Sequence, residues 1–275
     1  MVREMRIAWV ALAMLSTTVA GAEDSSKQLN LWISHHFAGI ENYYTGDYVE
    51  AAHLFESAAQ DAQRKVRNAE TVSALGRAYT ALGKFDEAEA QYREALQLKR
   101  ESLGKHHPFL ASTLNDLADL LYLTEKTEEC TALYREALEQ LERDQFNLEV
   151  SRSLNGLALL SNDAGDKVAA EELLKRAANI HEKGQRRDHP YAATVQTNLG
   201  ILYTHLGRYE EAAVKFERAK YIQDTKLRGN HPDVAVRLQG NAALLLATGH
   251  AGEAARLATD AENIREAQAA KGDLY

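Results

Sequence analysis

The sequence predicts an all-α fold, a right-handed solenoid of about six stacked helical hairpins. Three observations predict it. Leu75, Leu117, Leu157 and Leu199 head similar stretches at steps of 42, 40 and 42 residues, a period typical of helical repeat architectures. Within one stretch Val72, Leu75, Tyr79 and Leu82 step by three, four and three, which puts them on a single stripe of a helix. A glycine follows that helix at Gly46, Gly83, Gly165, Gly207 and Gly249, where its tolerance of the left-handed conformation closes the helix.

The bulk properties agree. The chain has 275 residues, 45% apolar and 26% charged, with 3 Pro and 1 Cys. Disorder, a collagen helix and a disulfide scaffold are excluded. A formal charge of −8 opposes binding to a phosphate backbone, so no nucleic-acid partner is expected.

Taken in order, the N-terminus comes first. Arg3 and Arg6 precede an apolar run, Ile7 to Leu15, and small residues follow at Ala20-Gly21-Ala22. This reads as a secretory signal peptide over 1–22, cleaved after Ala22, so export to a periplasm or medium is expected. An uncleaved anchor is the alternative, disfavoured because the run is shorter than the ~20 residues of a comfortable span. No later segment could span a bilayer, and no cysteine follows the cleavage point to take a lipid; the only one is Cys130. Residues 23–30 read as a linker.

The repeats are expected at about 31–67, 68–108, 109–150, 151–190, 191–232 and 233–270, with 271–275 as a tail. The first carries Trp32, Phe37, Ile40, Tyr43 and Tyr44, which would pack on the second. In the second, Ala88, Tyr92 and Ala95 mark the second helix: small residues let two backbones approach, and the ring between them fills the gap. The third has Glu125-Lys126 in place of glycine, and its exit, Asp144-Gln145-Phe146-Asn147, is irregular. The fourth and fifth restore the pattern at Ala170, Leu174 and Ala177 and at Ala212, Phe216 and Ala219. The last replaces leucine by Asn241 and the ring by Ala258, as suits a terminal cap. One hairpin cannot bury its stripe alone, so neighbours must stack.

The chemistry-bearing residues have plainer roles. His35-His36 and His106-His107 are adjacent, and neighbours on a helix diverge by about 100°, which makes poor chelate pairs. His107, His189 and His231 precede prolines at helix starts, a structural place. No metal, cofactor or calcium motif occurs. Cys130, with His181 or His205 as a base, would be the one nucleophile to consider, but it occupies the packed position of Ala88, Ala170, Ala212 and Ala254. Burial there raises a thiol pKa. No catalytic residue is assigned.

Leucine with glycine or alanine, then tyrosine, then Gly-x-Tyr/Phe-x-x-Ala, an aromatic and alanine resembles the tetratricopeptide repeat. The 42-residue period with Leu103-Gly104-Lys105-His106-His107-Pro108, Asp188-His189-Pro190 and Leu227-Arg228-Gly229-Asn230-His231-Pro232 is similar to its kinesin light chain subtype. The resemblance implies that first helices line a concave face, where asparagines hydrogen-bond an extended peptide. Asn115 and Asn155 match the first Asn of that family's Leu-Asn-Asn-Leu segment, and Asn198 the second. An amide offers a peptide unit both donor and acceptor. On the same stripe lie Arg77, Asp119, Tyr122, Arg152, Asn162, Thr197 and His205, with the charged members available to discriminate ligands. Any amphipathic helix also needs a polar face, and that plainer reading stands beside this one. The expected function is therefore a non-catalytic, exported scaffold that binds a peptide or protein segment along the concave face. The alternative is an assembly subunit docking other chains through its end repeats, and the oligomeric state is open.

Overall fold

The computed structural model describes residues 22–62, 65–141, 148–183, 187–227, 229 and 231–272. Residues 1–21 of the expected signal peptide and the irregular exit at 144–147 lie outside the described residues. Every described element is helical: α1 (Ala22–Thr45), α2 (Tyr48–Asp61), α3 (Lys65–Ala81), α4 (Phe85–Leu103), α5 (Leu110–Leu123), α6 (Thr127–Gln140), α7 (Leu148–Asp163), α8 (Lys167–Lys183), α9 (Pro190–His205), α10 (Tyr209–Lys226), α11 (Pro232–Ala247) and α12 (Ala251–Gly272). Residues 23–30, expected as a linker, are the start of α1. The expected tail likewise begins inside α12.

The chain forms two compact units, one ending at Lys126 and the other beginning at Thr127. In the first, α1 packs on α2, α2 on α3, α3 on α4 and α4 on α5, and the first helices α1, α3 and α5 also touch in sequence. In the second, α6 packs on α7, α7 on α8, α8 on α9, α9 on α10, α10 on α11 and α11 on α12, while α9 meets α11 directly. Each unit is thus a stack of helical hairpins, the all-α architecture that the repeat requires.

The small residues pack as the spacing demands. Ala88 and Ala95, Cys130 and Ala137, Ala170 and Ala177, and Ala212 and Ala219 are fully buried. The ring between them seats on a first-helix glycine: a methyl group at Gly76 would stand 2.7 Å from Cε1 of Tyr92. Phe216 presses on two glycines, Gly200 and Gly240, where an added methyl would come within 2.8 and 2.9 Å of its ring. Burying such rings is the main favourable contribution of each interface.

The turns inside the hairpins share one geometry. Lys84 N–H donates to the Tyr79 carbonyl at 2.9 Å, and Arg208 N–H to that of Tyr203 at 2.9 Å, the closure that a left-handed residue allows. Gly83 and Gly207 supply it, each with φ 72°. The third hairpin makes the same turn without glycine. Glu125 takes φ 61°, and Lys126 N–H donates to the Leu121 carbonyl at 2.9 Å. A side chain in that region costs roughly 1–2 kcal/mol.

The histidine-proline turns use both residues. His189 Nδ1 accepts from Tyr191 N–H at 3.1 Å and His231 Nδ1 from Asp233 N–H at 3.2 Å, each histidine being the N-cap of a helix that opens with proline. The imidazole does what an Asp or Ser oxygen does at other helix starts. His107 makes the same bond to Phe109 N–H at 3.2 Å, although α5 begins later, after Phe109.

Candidate protein-binding face

The polar stripe of the first helices is laced from one repeat to the next. In the first unit Ser73 Oγ on α3 donates to Asp116 Oδ2 on α5 at 3.3 Å, and Arg77 Nη1 donates to the same oxygen at 2.9 Å. The Asp116 side chain is 4% exposed while that of Arg77 still reaches solvent. Burial opposes the Arg77 charge, but the Asp116 carboxylate more than offsets it and holds the guanidinium above its usual pKa. In the second unit Asn198 Nδ2 on α9 donates to Asn155 Oδ1 on α7 at 2.8 Å. Thr194 Oγ1 donates to Asp233 Oδ2 on α11 at 3.2 Å.

This lacing decides which of the expected residues face a ligand. Asn115 is 0% exposed and Thr197 2% exposed; neither presents its side chain to a partner in this state. Asn155 is buried and engaged by Asn198, so the two amides expected to grip a peptide hold each other. Arg77, Asp119 and Tyr122 in the first unit, and Arg152, Asn162, Asn198 and His205 in the second, retain exposed surface. Arg152 pairs with Glu149 one turn earlier, Nη1 to Oε2 at 3.1 Å. Sequence reasoning missed Asp116, the hub of the first lace. It stands one residue before Leu117, the place that Asn198 occupies before Leu199, and aligning the repeats at the leucine would have found it.

The remaining candidates sit in structural roles. Cys130 is fully buried, and His181 Nε2 lies 2.9 Å from Ser151 Oγ. His36 is buried, stacked on Trp32 with ring centroids 4.9 Å apart. Its Nδ1 lies 3.1 Å from Thr71 Oγ1, which also accepts from Trp32 Nε1 at 2.9 Å. Burial pushes the His36 pKa down to about 3, with the Arg77 charge adding to the effect. His35 bonds Asp61 at 2.8 Å. Among the described residues no group of three His, Cys, Asp or Glu could hold a metal ion, and no helix is long and apolar enough to cross a membrane.

Comparison with known proteins agrees with this geometry. Protein KINESIN LIGHT CHAIN-RELATED 1 of Arabidopsis thaliana is 29% identical over 189 residues, which is 66% of this chain but 30% of that protein. The chain therefore spans less than a third of that relative. Among solved structures, BtubC (BKLC) from P. vanneervenii aligns with a TM-score of 0.58 at 21% identity, covering 91% of this chain and 92% of that one. A Rap protein complexed with competence and sporulation factor aligns with a TM-score of 0.67 at 16% identity, covering 92% of this chain and 78% of that one. Both show a shared fold. The tetratricopeptide repeat model matches residues 67–143, 149–220 and 191–267, the same hairpins whose rings, glycines and left-handed turns are described above, and on that ground the chain belongs to the tetratricopeptide repeat family.

Proposed function

We propose that this chain is a non-catalytic, exported interaction module that binds a peptide or protein segment along the first-helix face of its repeats. Membership of a repeat family built for protein–protein contact supports the general role. The observation that carries the finer reading is the Asn198–Asn155 pair: a half-exposed amide held in place by a buried one. Such a preorganised amide meets a peptide unit at little ordering cost. Arg152, Asn162 and His205 flank it with exposed polar surface. The related fold of a Rap protein that was crystallised with competence and sporulation factor makes peptide binding a natural use of this architecture.

The test is selection of peptides from a random displayed library on the purified chain, followed by affinity measurement on Asn198→Ala, Asn162→Ala and Arg152→Ala. Each substitution removes polar contacts from an otherwise intact face, and a loss of about fivefold to tenfold per contact is expected. Unchanged affinity in all three, with helicity retained, sinks the assignment. Export is tested separately by N-terminal sequencing of the protein recovered outside the cytoplasm: a start at Glu23 is expected, and retention in the cytoplasm with Met1 intact overturns it.

A further inference from the structure

Helix α10 forms one wall of a cleft of about 780 Å³ that runs between α10 and α12 over α11. Arg237 lies at its floor, beside Leu238 and Leu245. The arginine is 5% exposed. Its Nε donates to Gln223 Oε1 at 2.6 Å. Gln223 is itself buried and anchored through Nε2 to the Asp233 carbonyl at 3.0 Å. The guanidinium plane is therefore set by a fixed neutral acceptor, which satisfies one of its five donors and none of its charge.

Among the described residues no carboxylate completes the pairing. Glu210, Glu217, Glu253 and Asp260 line the cleft, but all four are exposed, and the bond to Gln223 is the only hydrogen bond or ion pair of Arg237 among the described residues. Burial pulls the guanidinium below its usual pKa, an effect that Asp224 and Glu217 offset only in part. An unpaired buried charge is costly to the fold. The repeat register sharpens the point. Four residues before the leucine position, the other repeats carry Thr71, Thr113, Ser153 and Val195, all short and neutral, and only this one carries arginine.

We propose that this cleft binds an acidic side chain of a partner protein, a glutamate or aspartate flanked by leucine-like residues, with Arg237 as its anion-holding group. A carboxylate takes two parallel hydrogen bonds from a guanidinium of fixed plane. Leu238, Leu245 and, from α12, Leu257 provide the apolar walls for the flanking residues. Its walls are the second helices α10 and α12, and the α11 residues at its floor are not among those assigned to the ligand-binding first-helix face, so it does not depend on the function proposed for that face.

The probe is acetyl-Leu-Glu-Leu-amide, with acetyl-Leu-Gln-Leu-amide as its neutral control, titrated into ¹⁵N-labelled full chain. The Nε–Hε resonance of Arg237, identified by its loss in Arg237→Met, is expected to shift saturably with the glutamate peptide and to stay in place with the glutamine peptide. Arg237→Met, checked for folding by circular dichroism, is expected to weaken binding about tenfold or more. Glu217→Gln is expected to strengthen it by removing a nearby like charge, and Asn198→Ala to leave it unchanged. Equal shifts with both peptides, or no shift with either, overturn the proposal. So does an Arg237 resonance that moves in Glu217→Gln, without peptide, in the direction opposite to the peptide-induced shift, because Glu217 would then be the resident partner. The wild-type titration stands even if Arg237→Met fails to fold.

Discussion

The two units solve the same problem with different chemistry. In each, a residue two before the repeat leucine bonds a residue one before the leucine of the next repeat. It is Ser73 to Asp116 in the first unit and Asn155 to Asn198 in the second. The first lace is ionic because Arg77, two residues beyond Leu75, reaches the same carboxylate. The equivalent places beyond Leu157 and Leu199 are Leu159 and Ile201, which leave the second lace neutral. A charged hub gives a stronger but less forgiving link, because removing one partner strands the other. Two amides lose less, since a half-exposed donor can turn to water.

The largest expected effect separates the units by acid. His36, in the first unit, is neutral when folded, with a pKa of about 3, whereas an unfolded histidine titrates near 6.5. Between these values the unfolded chain binds a proton that the folded unit does not, so stability falls as pH drops from about 6.5 towards 3. The slope is about 1.4 kcal/mol per pH unit. Urea unfolding followed through Trp32, which stacks on this ring, measures it. His36→Gln is expected to flatten the slope, and an unaltered slope would mean that other groups set it.

The laces themselves come next. Asp116→Ala leaves Arg77 without its carboxylate, and an expected loss of about 2 kcal/mol follows from a charge-assisted pair that is partly open to solvent. Asn155→Ala in the second unit is expected to cost about 1 kcal/mol. Equal losses in urea titrations would remove the distinction between an ionic and a neutral link.

The smallest effect has the opposite sign. Glu125→Gly, at the one left-handed turn without glycine among the described residues, is expected to stabilise the chain by about 1 kcal/mol, the strain relieved less the added freedom of the unfolded glycine. Thermal unfolding reads it as a rise in midpoint. A fall would show that contacts of the glutamate side chain outweigh its backbone strain.

Much of the architecture was legible because it repeats. The spacing of Val72, Leu75, Tyr79 and Leu82 and the placement of Ala88, Tyr92 and Ala95 specify amphipathic helices and close approach without any long-range information. Periodicity cannot, however, report whether a polar residue on the stripe faces a ligand or a neighbouring helix. Asn115 and Asn155 share a register and a residue type with peptide-binding positions, yet one is fully enclosed and the other is held by Asn198. The capping role of His189 and His231 was hidden for a related reason: histidine is not among the usual cap residues, and only the ring orientation places Nδ1 at the helix N–H.

What the chain alone determined is the succession of hairpins, since helix period, turn glycines and small-residue contacts are local properties that each repeat carries in full. What only the tertiary structure decided is where polar groups find partners. Asp116 meets Arg77 and Asn198 meets Asn155 because stacking brings residues about forty positions apart within hydrogen-bond reach. Arg237 meets Gln223 and, among the described residues, no carboxylate, because the packing of α10 and α12 against α11 decides which side chains reach it. Burial raises the strength of each such pairing and the cost of each omission, and burial is a property of the stack, not of any single repeat.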